Sequence, residues 1–474
     1  MAALPIKRDA VLGILSVRAV VDGGFCVGCG ACSFASQDAI RMHRNELGIC
    51  EADIGQSSPE ALDAPSSLCP FSDAAENEDS LSQRFAPTVA HYDRRLGYYS
   101  MLAAGRISDL SEIASSSSGG MTSWLLEKLL DAGLIDGVIH VGSADGGSGS
   151  LFRYAVSHSA ADLRARRKSI YYSTEMSEAL SSIAGDGKRY AFVGVPCFVK
   201  AISLLMRQDA RLAEQIRFRV GLVCGHLKSA AFAECLSWQT GVPPEELAAV
   251  DFRVKDPDQP ANRYRFGAKA KNADDWRTLP TSRLLGGNWG HGMFQLGACD
   301  FCDDIFAETA DVCLGDAWLP QYDSDWRGTN IVISRHADID QLLREGARSG
   351  EILLEDINAD LMAQSQGGNF RHRWDGLSVR LADDLRQGKA VPRKRIAPGS
   401  RRTSWIRRQL IRLRRKMSRQ SHATFLDAKR KSDLGLFHAD MEPFVKRMQS
   451  LYRIEKAINK RPRLRELSRR LGII

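Results

Sequence analysis

The stretch YAFVGVPCFVKAISLLM at residues 190–206, followed at residues 218–224 by FRVGLVC, indicates the fold of the central part of this chain. Residues 190–195 and 218–224 are short apolar runs of the kind that form buried strands. Residues 198–206 have the length and the apolar spacing of a helix. A strand, a helix and a second strand in this order are typical of an α/β fold.

The same alternation of apolar runs and amphipathic segments extends from about residue 85 to residue 390. Further buried strands are predicted at 137–142 and 330–334, and further helices at 121–132, 229–238 and near 339–345. The predicted fold class is therefore α/β or α+β, with a mixed α/β core at 85–390 between a cysteine-bearing N-terminal segment, 1–84, and a C-terminal segment, 391–474. Residues 391–400 contain two prolines and a glycine and are predicted to be a linker.

Charge is divided unevenly along the chain. Residues 391–474 hold 25 Lys and Arg against 6 Asp and Glu, a net charge of +19, whereas residues 1–390 hold 40 against 51, a net charge of −11. Trp405 and Leu410 lie among arginines at 401–416, which predicts a basic helix with a limited apolar face. Such a helix suits an anionic membrane surface, an acidic electron donor, or a solvated extension. Nucleic-acid binding is not expected, because no recognition module accompanies the charge.

Length and composition favour a cytoplasmic protein. No apolar run reaches the roughly 18–20 residues that a membrane span needs. The apolar piece at 11–17 is flanked by charges and lacks a cleavage pattern, so it is not interpreted as a signal peptide. Eleven cysteines in such a chain are expected to be metal ligands or buried thiols rather than disulfides. Attachment to the inner membrane face is an alternative that the basic segment leaves open.

The motif CVGCGAC places Cys26, Cys29 and Cys32 within seven residues. Two residues between thiolates let them converge on one metal centre, which is typical of an iron–sulfur cluster. The fourth ligand must come from elsewhere. Cys69 is the preferred candidate because a proline follows it, as at the end of ferredoxin motifs, and Cys50 is the competitor. A structural zinc site is the alternative interpretation of the same thiols.

Four later cysteines form a second candidate group. Two follow predicted strands and two form a CxxC pair: Cys197, Cys224, Cys299 and Cys302. Because the ends of parallel strands meet at one edge of a sheet, the two strand-end thiols are able to meet there, where a loop carrying the CxxC pair would complete a four-thiolate site. They are alternatively small buried core residues, which is also the interpretation of Cys235 and Cys313.

The ordered set of motifs resembles the coenzyme F420 hydrogenase/dehydrogenase beta-subunit family, which includes the plant-type 7-hydroxymethyl chlorophyll a reductase. The shared motifs are CVGCGAC with a later CP at 69–70, SSGG at 117–120, GVPC at 194–197, GLVCGH at 221–226, DFRVK at 251–255, CDFCDD at 299–304 and GDAW at 315–318. The resemblance implies a ferredoxin-like 4Fe–4S module at 1–84 on an FAD-binding core that holds the second 4Fe–4S cluster. It also implies electron transfer between clusters, FAD and a hydride-accepting or hydride-donating substrate. Whether that substrate is coenzyme F420 does not follow, because relatives differ in substrate.

Candidate flavin-binding residues lie in three segments. Ser117, Ser118, Gly119 and Gly120 precede a predicted helix, where glycines and free amides favour a phosphate. A plain helix cap in a serine-rich turn is the alternative. Tyr171 and Tyr172 offer phenols to the flavin or substrate, although adjacent tyrosines are common in strands. Asp316 is positioned either to bond the flavin ring or to cap a turn.

His226 and Lys255 are the candidate catalytic residues. His226 follows Cys224 by two residues and is able to relay a proton during hydride transfer, or it is an ordinary loop histidine. Lys255 lies beside Arg253 and is able to hold an anionic cofactor, or it occupies a solvated strand edge. The preferred hypothesis is an oxidoreductase fed by a ferredoxin-type partner. The rival hypotheses are an electron-transfer subunit without its own substrate site and a zinc-stabilised interaction protein.

Overall fold

The computed structural model describes residues 16–473 except for 37–38, 56, 59, 145–148, 400–402, 462–464, 467 and 470–471. Most of the apolar piece at 11–17 and the first two residues of the predicted basic helix therefore lie outside the described residues. Within the described ranges, none of the helices combines the length and the apolar character that a membrane span requires.

The described strands form one large sheet and three small ones. The strands are β1 Arg41–Arg44, β2 Cys50–Asp53, β3 His91–Asp93, β4 Gly97–Tyr99, β5 Met101–Ile107, β6 Gly137–Ser143, β7 Phe152–Ser157, β8 Tyr190–Gly194, β9 Ile216–Leu222, β10 Leu247–Val254, β11 Arg265–Ala270, β12 Arg277–Pro280, β13 Val312–Asp316, β14 Asn330–Ser334 and β15 Ile352–Asp356. The large sheet has the order β15-β5-β14-β13-β9-β8-β6-β7. Strands β6, β8, β9 and β13 run parallel, and β7, β14 and β15 run antiparallel to their neighbours. The core is therefore a mixed sheet.

The helices lie between these strands and after them. They are α1 Val17–Asp22, α2 Ala31–Ser36, α3 Asp63–Leu68, α4 Glu78–Ser82, α5 Leu110–Ser115, α6 Met121–Asp131, α7 Ala160–Arg166, α8 Ser177–Ile183, α9 Pro196–Gln208, α10 Ala210–Gln215, α11 Ala230–Gln239, α12 Pro320–Asp323, α13 Ala337–Ser349, α14 Ala359–Ser365, α15 Gly367–Phe370, α16 Leu377–Arg386, α17 Trp405–Arg430 and α18 Leu434–Asn459. A π-helical turn, Arg371–Gly376, joins α15 to α16. The predicted strands and helices of the core all form within a few residues of their predicted bounds.

Both faces of the large sheet are buried, because alternate side chains along its strands are apolar and point to opposite faces. Phe192 lies in one apolar cluster, which includes Ile202 of α9, whereas its neighbours Ala191 and Val193 lie in a second cluster with Leu125 of α6. This two-residue period places successive side chains on opposite faces. Helices α3 and α4 of the N-terminal segment pack against α9, so that segment shares the first cluster with the core.

The C-terminal segment is a pair of long helices. The apolar side of α17, which includes Ile406, Leu410 and Phe425, is buried in a third cluster with α18 and with Phe232 of α11. Only Trp405, 48% exposed, leaves a large apolar surface at the start of α17. The apolar face predicted for this basic helix is therefore covered by the protein itself.

The segment predicted to be a linker is irregular in backbone but anchored at several points. Val391 is buried, and Lys394 lies 3.9 Å from Asp303. The Arg395 guanidinium contacts Glu308 at 2.8 Å and Asp79 at 2.9 Å, which joins the N-terminal segment to the core. Because these carboxylates are otherwise crowded together, Arg395 balances several negative charges at once.

We expect Arg395→Ala to lower the free energy of unfolding by about 3 kcal/mol, since it leaves buried carboxylates without their cation. Thermal or urea unfolding measures this change. The control is Lys389→Ala, because the Lys389 side chain is 52% exposed and only 4.0 Å from Asp384. A change of less than about 0.5 kcal/mol for both variants would show that the network contributes nothing beyond an ordinary surface pair.

Candidate functional site

A cleft of about 1020 Å³ opens at the carboxyl ends of the parallel strands. Its walls include Val141, near the carboxyl end of β6. They also include the last residues of β8, β9 and β13, which are Gly194, Leu222 and Asp316. Ligands of open α/β sheets bind at this edge, where loops leave successive strands. The position and the size of the cleft are those of a site for a cofactor or a small molecule.

The serine–glycine loop before α6 forms one wall of the cleft. Ser117, Ser118 and Gly120 line it, and Gly120 adopts a left-handed conformation with a φ of 77° at the start of α6. Gly119 instead faces the protein: a side chain there would lie 2.9 Å from the amide oxygen of Asn330. That oxygen accepts a hydrogen bond from the first amide of α6, at Met121. The loop therefore offers hydroxyls to the cleft, with Asn330 taking one helix amide.

Tyr171, Tyr172 and Asp316 also line the cleft. Asp316 forms a 2.7 Å ion pair with Arg253, yet its second carboxylate oxygen and the Arg253 Nε are buried without a partner among the described residues. The Tyr171 ring packs against Trp289 at 4.7 Å between centroids. Unpaired polar atoms of this kind point to a polar ligand, because burying them alone is unfavourable.

Lys255, predicted either to hold an anionic cofactor or to occupy a strand edge, contacts the backbone of the serine–glycine loop. It is absent from the cleft wall, and its ammonium donates to the carbonyl oxygens of Ile113, Ser118 and Arg327 at 2.7–2.8 Å. An ammonium has three donors, and these carbonyls use all of them. Burial, followed by the nearby charge of Arg253, lowers the pKa of Lys255 to about 7. Lys255 therefore links the serine–glycine loop to two neighbouring segments of backbone.

His226 lies in the cleft wall beside the end of β9. Its ring stacks on Trp289 at 4.3 Å, and its Nδ1 is 3.1 Å from a guanidinium nitrogen of Arg414. Burial, reinforced by the charges of Lys228 and Arg414, holds the pKa of His226 well below its usual value. The imidazole is therefore neutral at physiological pH.

The four later cysteines lie near one another. Burial raises the pKa of Cys197 well above its usual value, and the nearby thiols of Cys302, Cys224 and Cys299 raise it further. Burial also raises the pKa of Cys224 to about 11 and of Cys299 to about 12. The strand ends carry two of these thiols, and the 3₁₀ turn Gly297–Phe301 carries Cys299 to them. Cys224 is also part of the cleft wall.

Arg373 projects from the π-helical turn into this thiol group. Its side chain is 1% exposed, and two of its guanidinium nitrogens have no partner among the described residues. Although burial lowers the pKa of Arg373, the thiols of Cys302, Cys224 and Cys299 raise it overall. A buried cation among four thiols is an environment suited to a negatively charged group.

The N-terminal cysteines form the other group. Burial, with the nearby thiols of Cys32 and Cys69, raises the pKa of Cys29 well above its usual value. Burial raises the pKa of Cys69 to about 12, and Cys26 adds to this. Cys50 lies near Cys26 but its thiol donates to the Ser173 carbonyl at 3.5 Å, while its amide donates to the Ser173 hydroxyl at 2.9 Å. The structure therefore gathers Cys69 with the CxxCxxC thiols and gives Cys50 a separate partner.

In the part of the chain that the structure describes, no three His, Cys, Asp or Glu side chains are close enough to hold one metal ion. A single zinc ion draws its sulfur ligands to about 2.3 Å. A four-iron cube binds one thiolate at each iron, so its ligands stand further apart.

We expect Cys69→Ser to lose about four iron atoms per chain and Cys50→Ser to lose none, because Cys69 lies near Cys26, Cys29 and Cys32, whereas the Cys50 thiol donates to the Ser173 carbonyl. Iron and labile sulfide assays on anaerobically purified protein measure the difference. Iron loss with Cys50→Ser and full iron with Cys69→Ser would reverse the assignment.

The sequence motifs did not indicate Arg373 or Arg414. Each reaches the site from a segment more than 70 residues away from the thiols or the histidine that it contacts. The only local sequence feature that points to Arg414 is the run of arginines around it. That run does not indicate which of its arginines reaches the site. Arg373 is a buried cation at the site, and Arg414 is a half-buried one.

Two protein-family models match the chain. Residues 102–181 match the model of the N-terminal part of the coenzyme F420 hydrogenase/dehydrogenase beta subunit, and residues 187–360 match the model of its C-terminal part. A search of curated proteins gave no match. Fourteen chains of solved structures are similar, among them one from the xenon-derivatised F420-reducing NiFe hydrogenase complex of Methanosarcina barkeri. That chain is 17% identical with a TM-score of 0.48, and the match covers 65% of this chain and 99% of that one.

Proposed function

The chain belongs to the coenzyme F420 hydrogenase/dehydrogenase beta-subunit family, and on this premise we propose that it is an iron–sulfur flavoprotein oxidoreductase. The family resemblance predicted from the motifs is thereby confirmed. One observation carries the finer proposal: Cys224 belongs both to the buried thiol group and to the wall of the cleft. A cluster on those thiols would therefore adjoin a cofactor in the cleft.

FAD is the proposed occupant of the cleft. The volume of about 1020 Å³ is ample for a dinucleotide with room for a substrate. Arg166, Arg263 and Arg371 line the cleft without an ion-pair partner among the described residues, so the walls favour a ligand with phosphates. Arg253 and Asp316 contribute unpaired donor and acceptor atoms. When bound, FAD would supply the exchange between single electrons and a hydride equivalent.

The two thiol groups are proposed to hold 4Fe–4S clusters. The first would be held by Cys26, Cys29, Cys32 and Cys69, and the second by Cys197, Cys224, Cys299 and Cys302. Four buried or half-buried thiols per group fit the four-thiolate requirement of a cube. Cys29 lies near enough to Cys197 to influence its pKa, so the groups adjoin each other. Arg373 would offset the negative charge of the second cluster.

The residues of the chain itself would orient the ligands and exclude water. Lys255 would hold the serine–glycine loop in place through its three carbonyl contacts. The Trp289–His226 stack would form a flat wall for an aromatic ligand. Because the His226 ring is neutral, it would act at that wall as a hydrogen-bond donor.

An acidic, ferredoxin-type carrier is the proposed electron partner. Exposed cations are spread along the two C-terminal helices, including Arg419, Arg447, Arg453 and Lys456. Opposite charges would speed docking, and the gain would fall with ionic strength. The same surface would suit an anionic membrane, and a small-molecule substrate would enter the cleft.

The experiment is the absorption spectrum of anaerobically purified protein with iron, sulfide and flavin assays. We expect a broad band near roughly 400 nm, about eight iron atoms per chain and one FAD. Colourless protein with stoichiometric zinc would contradict the proposal. Clusters and flavin together with dye reduction, but no turnover of small molecules without added proteins, would favour an electron-transfer subunit.

A further inference from the structure

A groove of about 740 Å³ lies between α16 and the basic helix α17. None of the described residues that line this α16–α17 groove also lines the cleft, and both helices follow residue 360, where the match to the family models ends. Its charged lining consists of six Lys and Arg side chains and two carboxylates, those of Asp383 and Asp384. The groove is therefore a second concave surface, with six positive against two negative charges, a net charge of +4.

The two carboxylates of the groove are already paired with arginines of α17. One contacts Arg412 at 2.8 Å, and the other contacts Arg415 at 2.7 Å. Lys416 and Arg419 also line the groove, where both are exposed and neither forms an ion pair with a described residue. Because water solvates exposed cations, their charge alone does not identify a binding site. The position of the groove supplies the second observation.

The groove adjoins the CxxC turn at 299–302, which carries two thiols of the second group. Arg415, which lines the groove, contacts the carboxylate of Asp300 at 3.0 Å, and its guanidinium carbon lies 5.4 Å from the centroid of the Phe301 ring. From α16, Arg380 donates to the carbonyl oxygen of Asp300 at 2.8 Å. Asp300 and Phe301 are the two residues between the cysteines. Both walls of the groove therefore contact the segment that joins these thiols.

We propose that the α16–α17 groove is the docking site for an acidic protein that carries one electron. Electron transfer between proteins slows steeply with distance, so a carrier must dock beside a redox group, and the groove adjoins the turn of the proposed second cluster. A concave, positive surface fits a convex, acidic protein, and complementary charges raise the rate of association. An anionic membrane is flatter and would meet the exposed rim of the groove, but not the half-buried Arg415 within it.

The acceptor of the electron rests on the proposed function, whereas docking itself does not. In the transfer step, the reduced carrier loses one electron, and the cluster proposed on the second thiol group gains it. No bond forms or breaks, and no proton is transferred. The electron would then enter beside the cleft without first passing through the N-terminal thiol group.

The first test locates the docked carrier by cross-linking to the full chain, with an acidic plant-type ferredoxin as the probe. A carbodiimide joins lysine amines to the carboxylates that contact them, and Lys389 and Lys416 are the lysines that line the groove. We expect peptide mapping to find the ferredoxin joined to these two lysines. Cross-links confined to other lysines, such as Lys446 and Lys456 of α18, would overturn the proposal.

Charge reversal measures how much the groove contributes to binding. We expect Lys416→Glu combined with Arg419→Glu to bind the ferredoxin at least about tenfold more weakly at low ionic strength, with a difference that shrinks as salt is added. The matched control, Arg344→Glu combined with Arg348→Glu, changes the net charge equally at exposed arginines of α13 that line a different groove. We expect the control to change the dissociation constant by less than about twofold. Equal weakening in both variants would show an effect of net charge alone and would contradict the proposal.

Vesicles that contain phosphatidylserine test the membrane as the alternative partner. Pelleting with these vesicles that is lost in the charge-reversal variant of the groove, without any ferredoxin cross-link, would assign the groove to a membrane and reject the proposal. If thermal melting shows that this variant is unstable, Lys416→Gln combined with Arg419→Gln replaces it, with at least about threefold weaker ferredoxin binding expected. Iron, sulfide and flavin assays on the same samples test the proposed function separately. Docking by a protein that lacks iron would support the groove and contradict the proposed function.

Discussion

The Cys224→Ser variant is expected to contain about four iron atoms per chain instead of about eight, because a hydroxyl is a poor replacement for the thiolate that a cube requires. Cys224 is the member of the second thiol group that also lines the cleft. The flavin absorption of the variant should therefore change as well. Iron, sulfide and flavin assays with an anaerobic spectrum measure both effects. The N-terminal cluster should remain, because none of its thiols is altered.

The control for this variant is Cys235→Ser. Cys235 is also buried but lies inside α11, where its thiol is 3.5 Å from the Gln239 side chain. Both substitutions place a hydroxyl in the core, so a comparison of thermal melting separates loss of stability from loss of iron. Full iron content in Cys224→Ser, or equal iron loss in Cys235→Ser, would contradict the assignment of the second cluster.

The elements of the core were predictable because their signals are local. The run at 190–194 is apolar at every position, and in the structure it is a fully buried strand between two parallel neighbours. A strand followed at once by a proline and a helix also determines where Cys197 lies, at the carboxyl end of β8. The same reasoning applies to Cys224 after β9. Periodicity and chain order were sufficient for these positions.

The partners of those elements were not predictable, because they depend on long-range packing. The motif around Lys255 predicted a catalytic cation. In the structure its ammonium donates to three carbonyl oxygens of distant segments. The sequence of the basic helix predicted an apolar face available to a membrane or a partner. In the structure those apolar residues pack into the core. A sequence pattern gives the polarity of a face, but not the surface that covers it. Arg414 and Arg395 likewise acquire their roles only from that packing.

The Arg373→Gln variant is expected to lower the reduction potential of the second cluster. Arg373 is the buried cation among Cys197, Cys224 and Cys302, and it forms no ion pair in the described ranges. Removing a positive charge makes an added electron less favourable, so the potential falls. A unit charge several ångströms away at an effective dielectric of about 20 contributes on the order of 100 mV. An anaerobic redox titration followed by electron paramagnetic resonance measures the shift.

Two further variants make this expectation specific to the charge. Arg373→Lys keeps the positive charge and should recover most of the potential, although an ammonium has fewer donors for the surrounding sulfurs. Arg371→Gln removes a cation from the same π-helical turn, but one that lines the cleft and is not placed among the thiols. Its effect on the cluster potential should be much smaller. An unchanged potential in Arg373→Gln with full iron content would show that Arg373 only supports the packing of the turn. A fall in Arg373→Gln that Arg373→Lys reverses would instead identify the π-helical turn as the element that sets the potential of the cluster beside the cleft.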